Sequence, residues 1–325
     1  MTKLRSFIYL DNYKMYSFSS QLFEGLTEYI VQSKSDKSIE EEQQKGKLGS
    51  GRILADIIEK DISQTEKKFL HDYSYNLFEE TLVNSGRVLE LNQGNVNSEI
   101  ENIHNYSFVK ITGRVVFNDS KSVQHTIENF NEIGEALTYI SNRGAIEEMK
   151  STLSEQAKGI KDRNAKAKAN ALIRNALDVK KMAKEQSLYF DPEFLKKLSY
   201  ILEYGFNQQF EAQIPFEHDD AFQLFTAQLI RENLKESEFN IIKKYSRETE
   251  KEFKLFGIPT QVQGSGRKGS ILDKIREIYE DTETESSMKE YLMYMASLLS
   301  NVERTFSGKL DFEYVIDPIA LYIEI

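Results

Sequence analysis

The chain has 325 residues, 40% of them hydrophobic, with 20 Phe, 17 Tyr and a net charge of −10. So many core-forming side chains argue against a disordered protein, and the absence of cysteine excludes disulfides, thiolate metal sites and cysteine nucleophiles. The overall negative field disfavours indiscriminate binding to nucleic acid while leaving room for a local basic surface.

The opening "MTKLRSFIYLDNYKMY" holds a run of four apolar residues, Phe7 to Leu10, too short for a signal peptide. No stretch approaches the ~20 apolar residues of a membrane-spanning helix. A soluble, cytoplasmic protein is expected. "FIYLD" reads as a short strand, and Met15, Phe18, Leu22, Leu26, Tyr29 and Ile30 follow at helical spacing, with Asp11 or Asn12 as cap. Ser33 to Gly51 is polar and glycine-tailed, a loop by composition. Residues 52–84 return to helical spacing.

"YSFVKITGRVVFND" alternates and is rich in β-branched residues, so it reads as a strand kinked at Gly113. "SVQHTIENFNEIGEALTYIS" is helical. From 145 to about 186 a longer helical run carries Ile146, Met149, Leu153, Ala157 and Ile160 at three- and four-residue steps, the seam of a coiled coil. As one helix it would form an arm of roughly 60 Å. "DPEFLKKLSYILEYG" opens another helix, with Asp191 capping and Pro192 at its first position. "FNQQFEAQIPF", "AFQLFTAQL" and "EFKLFGIPTQVQ" read as strands, with a helix between the second and third. "SILDKIREIYE" and "SMKEYLMYMASLLSNVERTF" read as helices. "DFEYVIDPIALYIEI" reads as a strand pair broken at Pro318, or as one edge strand.

The expected protein is α+β and mainly helical. An antiparallel sheet comes mainly from 106–119, 206–230 and 250–263, and packed helices and the long arm complete it. The layout is an N-terminal module at 1–144, the arm at 145–186, and a C-terminal module at 187–325 sharing the sheet.

Few motifs carry chemistry. Gly264, Gly266 and Gly269 fit G-x-G-x-x-G between a strand and a helix. A dinucleotide site also needs a second strand ending in an acidic residue, and the chain continues instead as "EDTETESSMKEYLMYMASLLS". The stretch reads as a solvated joint. Its residual chemistry is a bare anion site made by helix N-terminal amides with Arg267 and Lys268. No cofactor is expected.

Lys150 to Gln186 carries ten Lys or Arg against four acids. Lys161, Arg163, Lys166 and Lys168 are therefore candidates for contact with phosphates. The plainer reading is the solvated face of a coiled coil, and the stretch has no aromatic residue to stack bases. "FEHDDAF" places Asp219 and Asp220 beside a strand. With Glu252 and Lys254 they loosely fit a metal-dependent nuclease, in which carboxylates hold the ion and a lysine stabilises developing charge. The histidines lie far apart, with no H-E-x-x-H, so a zinc site is not expected.

"FIYLDNYKMYSFSSQLFEGLTEY", "FTAQLIRENLKESEFNIIKKYSRETEKEFKLFGI" and the ending "VIDPIALYIEI" resemble blocks of a bacterial family catalogued only as a domain of unknown function. The resemblance implies no catalytic residue. Its one contextual implication is a phage-defence role, since some families of this kind are encoded near such genes. The function expected is that of a non-catalytic cytoplasmic binding or assembly protein. It would associate with itself or a protein partner through the 145–186 helix. The alternative is a metal-dependent nuclease or other phosphate-cleaving enzyme.

Overall fold

The computed structural model describes residues 4–22, 64–218, 221–262, 274 and 287–325. The protein is α+β and mainly helical, with a largely antiparallel sheet. β1 (Arg5–Leu10) leads into α1 (Asn12–Leu22). Then come α2 (Gln64–Asn84), β2 (Val88–Asn92), a short α3 (Val96–Glu99) and β3 (Phe108–Asp119). The helices α4 (Ser120–Glu128), α5 (Phe130–Lys158), α6 (Arg163–Ala176), α7 (Val179–Glu185) and α8 (Pro192–Phe206) follow in succession. The chain ends with β4 (Phe210–His218), β5 (Ala221–Gln228), α9 (Glu238–Tyr245), β6 (Glu248–Gln261), α10 (Met288–Ser307) and β7 (Glu313–Glu324).

Two compact units result, neither continuous in sequence. The first takes in Met1–Asn118, Phe210–Leu298 and Gly308–Ile325, and the second Asp119–Gln209 and Leu299–Ser307.

The first unit is built on a closed circuit of strands. β3 pairs with β4, β4 with β5, β5 with β7, β7 with β6, and β6 with β3 again. β1 adds to β7, and β2 adds in parallel to β3. β3 and β7 both run against β6, β5 runs with β7, and β4 runs against β5, so β4 also runs against β3. Numbered within the circuit, the order is 1-2-3-5-4 and back to 1, with the third and fifth strands parallel. That is the strand order of the OB barrel. α9, between the third and fourth strands in sequence, buries Ile241 in the same core.

Alternation builds the interior. Val109, Ile111, Val115 and Phe117 of β3 meet Ile214 and Phe216 of β4, Phe225 of β5, and Phe253 and Leu255 of β6. Gly113 faces this interior, and a Cβ there would lie 2.6 Å from Ile214. Glycine thus lets β3 bend between its partners. The opposite parity supplies Phe7, Phe108, Phe256 and Tyr322 to a second, aromatic core, which Tyr75 and Phe78 of α2 complete.

β7 is one strand paired on both edges, neither a broken pair nor an edge strand. Proline is tolerated there because Pro318 lies opposite Gly257, beside a register shift. A Cβ on Gly257 would come within 2.4 Å of the Asp317 carbonyl oxygen, so only glycine admits that approach. β2 had no counterpart among the expected strands.

In the second unit, the run expected as one helix from 145 to about 186 is divided among α5, α6 and α7. The breaks have a local cause: Asp162 and Asp178 sit outside helical geometry, and their carboxylates accept hydrogen bonds from the first-turn amides of α6 and α7. There is therefore no single 60 Å arm. The chain after α7 packs on α5. Thr138 donates to Gln186 (3.3 Å), and the Asn131 side chain bonds both the N–H and the C=O of Phe190. At its base, the Ser120 N–H and Oγ both donate to the Gln209 carbonyl (3.0 and 2.9 Å), so the two ends of this insertion meet.

Candidate functional site

Three places concentrate polar chemistry. The first is α6 and α7 of the second unit. Between Lys158 and Lys184 stand nine Lys or Arg against Asp162 and Asp178, a local charge of +7; the chain totals −10, so its other residues carry −17. All nine cations are exposed, including Lys161, Arg163, Lys166 and Lys168, and none of the described side chains of α6 is buried. Leu172 on the same helix is 70% exposed. The Asp162 carboxyl is held below its usual range by hydrogen bonds from Ala165 and Asn164, so it is committed to capping. Lys180 and Lys184 lie 4.8 and 5.2 Å from the centre of the Tyr189 ring. Contact with Tyr189 raises the Lys180 pKa and keeps that ammonium charged.

The second place joins two stretches that carry the resemblance. Asp11 caps α1, accepting from the Lys14 N–H (2.9 Å), while its own N–H donates to the Ile319 carbonyl (2.8 Å). The Lys14 ammonium bridges Asp317 (2.5 Å) and Asp11 (3.5 Å). Burial would lower the Lys14 pKa, but the bond and charge of Asp317 outweigh it and leave it raised. This ammonium clasps β1 and α1 to β7. The carboxylates are spent on it.

The third place is the buried Glu79 of α2, which the sequence did not single out. Its carboxylate receives Lys110 (2.7 Å), the Arg5 guanidinium (3.2 Å) and the Tyr322 hydroxyl (2.8 Å). Arg5 also lies over the Tyr322 ring, 4.9 Å from its centre. Burial, then the Glu79 charge, push the Tyr322 hydroxyl pKa far up, so it stays a donor. Two cations share this one buried carboxylate, and Lys110 also lies 3.9 Å from Glu90, so the charged groups are engaged with one another.

The residues singled out for metal-dependent cleavage are placed as follows. Lys254 is bound to Glu324 (2.6 Å), and Glu252 is exposed on the same face of β6, opposite Arg114 of β3. Asp219 and Asp220 lie outside the described residues, as do Arg267, Lys268 and the three glycines beside them. Among the described residues no group of three or more His, Asp or Glu is placed to hold a metal ion. No described helix is long and apolar enough to cross a membrane.

Comparison with known proteins adds one match, to the family model Domain of unknown function (DUF6414), over residues 4–322. No curated protein and no solved structure matches the chain.

Proposed function

The chain belongs to this family of unknown function, and from its own chemistry we propose a non-catalytic binding protein that docks on a polyanion, nucleic acid being the favoured class, through α6 and α7. One observation carries the reading: nine exposed cations within 27 residues, seven of them on α6 and α7 with Lys158 and Lys161 just before, and α6 has no buried described side chain. A helix draws most of its stability from a packed apolar face. On α6 only Ala169 and Ile173 among the described side chains are even half-buried, so most of its composition answers to the surface. A dense cationic surface gains affinity for phosphates by releasing their counterions. The seam from Ile146 to Ala157 lies within α5, while the run does not continue as one helix past Gly159–Asp162. In OB barrels the connections between the first and second strands and between the fourth and fifth flank the binding face. Here the first of these connections contains α6 and α7. That parallel is one of strand order alone, and the weight rests on the cations. The absence of cysteine fits work in a reducing cytoplasm.

Anisotropy of labelled single strands and duplexes, titrated at several salt concentrations, tests this. Binding is expected at low salt and should weaken steeply as salt rises. Changing Lys161, Arg163, Lys166 and Lys168 to Glu should lower the salt slope by roughly four. Absence of binding at low salt, or binding indifferent to those changes, would sink the reading. Magnesium-dependent shortening of the strand would replace it with the cleavage alternative, for which Asp219, Asp220, Glu252 and Lys254 are the residues to change.

A further inference from the structure

We infer that α6 lies in the major groove of B-form duplex DNA, with Asn164 and Asn175 on base edges and Arg163, Lys168 and Arg174 on the flanking phosphates. The inference rests on the polyanion reading and names the partner of that same surface. α6 carries Arg163, Lys166, Lys168 and Arg174 and no acidic residue. Among the described residues, none of these four side chains forms an ion pair or a hydrogen bond. Their charge is uncommitted, and its complement is a dense row of phosphates.

The order of side chains around the helix narrows the partner to a duplex. Ala169 and Ile173 are the half-buried positions, so they mark the side turned toward the rest of the unit. At about 3.6 residues per turn, Ala171 lies opposite their midpoint, and Asn164, Ala167 and Asn175 fall within about 40° of it. All four are exposed. Arg163 and Arg174 stand about 60–80° to one side of this stripe, and Lys168 about 60° to the other. Cations thus border a short, polar stripe on both sides. Short side chains admit the helix to a groove floor, while the longer cations reach the two phosphate walls. The major groove of B-form DNA is about 12 Å wide and accepts a helix. The corresponding groove of an RNA duplex is too deep and narrow. A single strand offers bases for stacking, and α6 has no aromatic side chain.

The stripe also selects among bases. An asparagine amide bonds adenine N6 and N7 together, and an alanine methyl packs on the thymine methyl. Asparagine is a poor helix former, and neither Asn164 nor Asn175 has a side-chain hydrogen bond among the described residues. The fold does not account for them, whereas contact with bases does. They stand eleven positions apart, which is about 16 Å along the axis, the length of about five base pairs. A·T pairs are therefore favoured over G·C pairs.

The test compares a DNA duplex, an RNA duplex and a DNA single strand of equal length at one low salt concentration. The DNA duplex should bind about tenfold more tightly than the other two, and A·T-rich duplexes more tightly than G·C-rich ones. Ala167→Leu with Ala171→Leu puts good helix formers at exposed positions. Circular dichroism should not change, but the longer side chains should hold the helix off the groove floor and remove the preference for the DNA duplex. Asn164→Ala with Asn175→Ala should bring A·T-rich and G·C-rich duplexes level without changing the salt slope. Replacing adenine by 7-deazaadenine, which lacks the N7 acceptor, should weaken binding by the wild type and not by the asparagine variant. Equal affinity for the three probes, lost when Lys161, Arg163, Lys166 and Lys168 become Glu, would overturn the groove inference and leave the polyanion reading standing. Absence of binding to all three would overturn both. A duplex preference that survives the leucines, or equal binding of A·T-rich and G·C-rich duplexes by the wild type, would also overturn the inference.

Discussion

Two buried or half-buried glutamates have opposite worth. Glu79 holds Lys110 and Arg5 in a nearly dry place. Removing one partner of such a cluster leaves charges buried without compensation, which costs roughly 3–5 kcal/mol. Glu79→Ala should lose that much in urea unfolding, and a loss under about 1 kcal/mol would mean that water reaches the cluster. Glu211, on the side of β4 away from the barrel core, sits near Glu313. Burial first, then the Glu313 charge, raise its pKa, although the amide of Gln213 donates to it (3.2 Å) and opposes the shift. A carboxyl whose pKa rises on folding stabilises the fold below its unfolded pKa and loses that contribution as pH climbs through the folded value. At neutral pH Glu211 is thus a burden. Glu211→Gln should raise the melting temperature at neutral pH, and the gain should vanish on acidification into the ordinary carboxylate range. An equal gain at both pH values would point to packing instead.

At the level of elements, Gly134 marks the tightest crossing of the second unit. A Cβ there would stand 1.8 Å from the Leu188 carbonyl oxygen, which is backbone and cannot swing aside. Gly134→Ala should cost about 1–3 kcal/mol or more despite its better helix propensity, read as a lower midpoint in thermal unfolding. Wild-type stability in this variant would mean that the segment after α7 does not pack on α5. Much of the element content was legible before the structure: β3 and β4 alternate, β1 is a short apolar run, β5 and β6 also read as strands, and Asp11 and Asp191 cap as their positions imply. The failures have physical causes. β2 spans five residues, too few for periodicity to register. Pro318 signalled an edge because its tolerance depends on Gly257, some sixty positions away. Asp162 read as one of four acids in a helical run, yet its carboxylate opens a new helix. Spacing also cannot say which positions of an apolar seam are covered: on α5, Ala157 is buried whereas Met149 is 43% exposed. Glu79 gave no signal, because its partners come from β1, β3 and β7.

For the molecule as a whole, charge and topology both separate function from scaffold. The +7 of residues 158–184 stands against −17 elsewhere, an asymmetry that makes this segment more attractive to a polyanion than the rest of the chain. Strands were identified singly, but closure of the barrel depends on pairings between distant parts of the chain, for which a local pattern holds no information. The central strand of that barrel is also its last. β7 bonds β1, β5 and β6, and Arg5 stands in register with Glu324. During synthesis, more than 300 residues emerge before residues 313–324 can fill the gap. Until then the edges of β1, β5 and β6 that β7 will cover have no native partner, a state open to mispairing with other chains. A premature stop anywhere before residue 313 yields a product without a closed barrel, its three strand edges left uncovered.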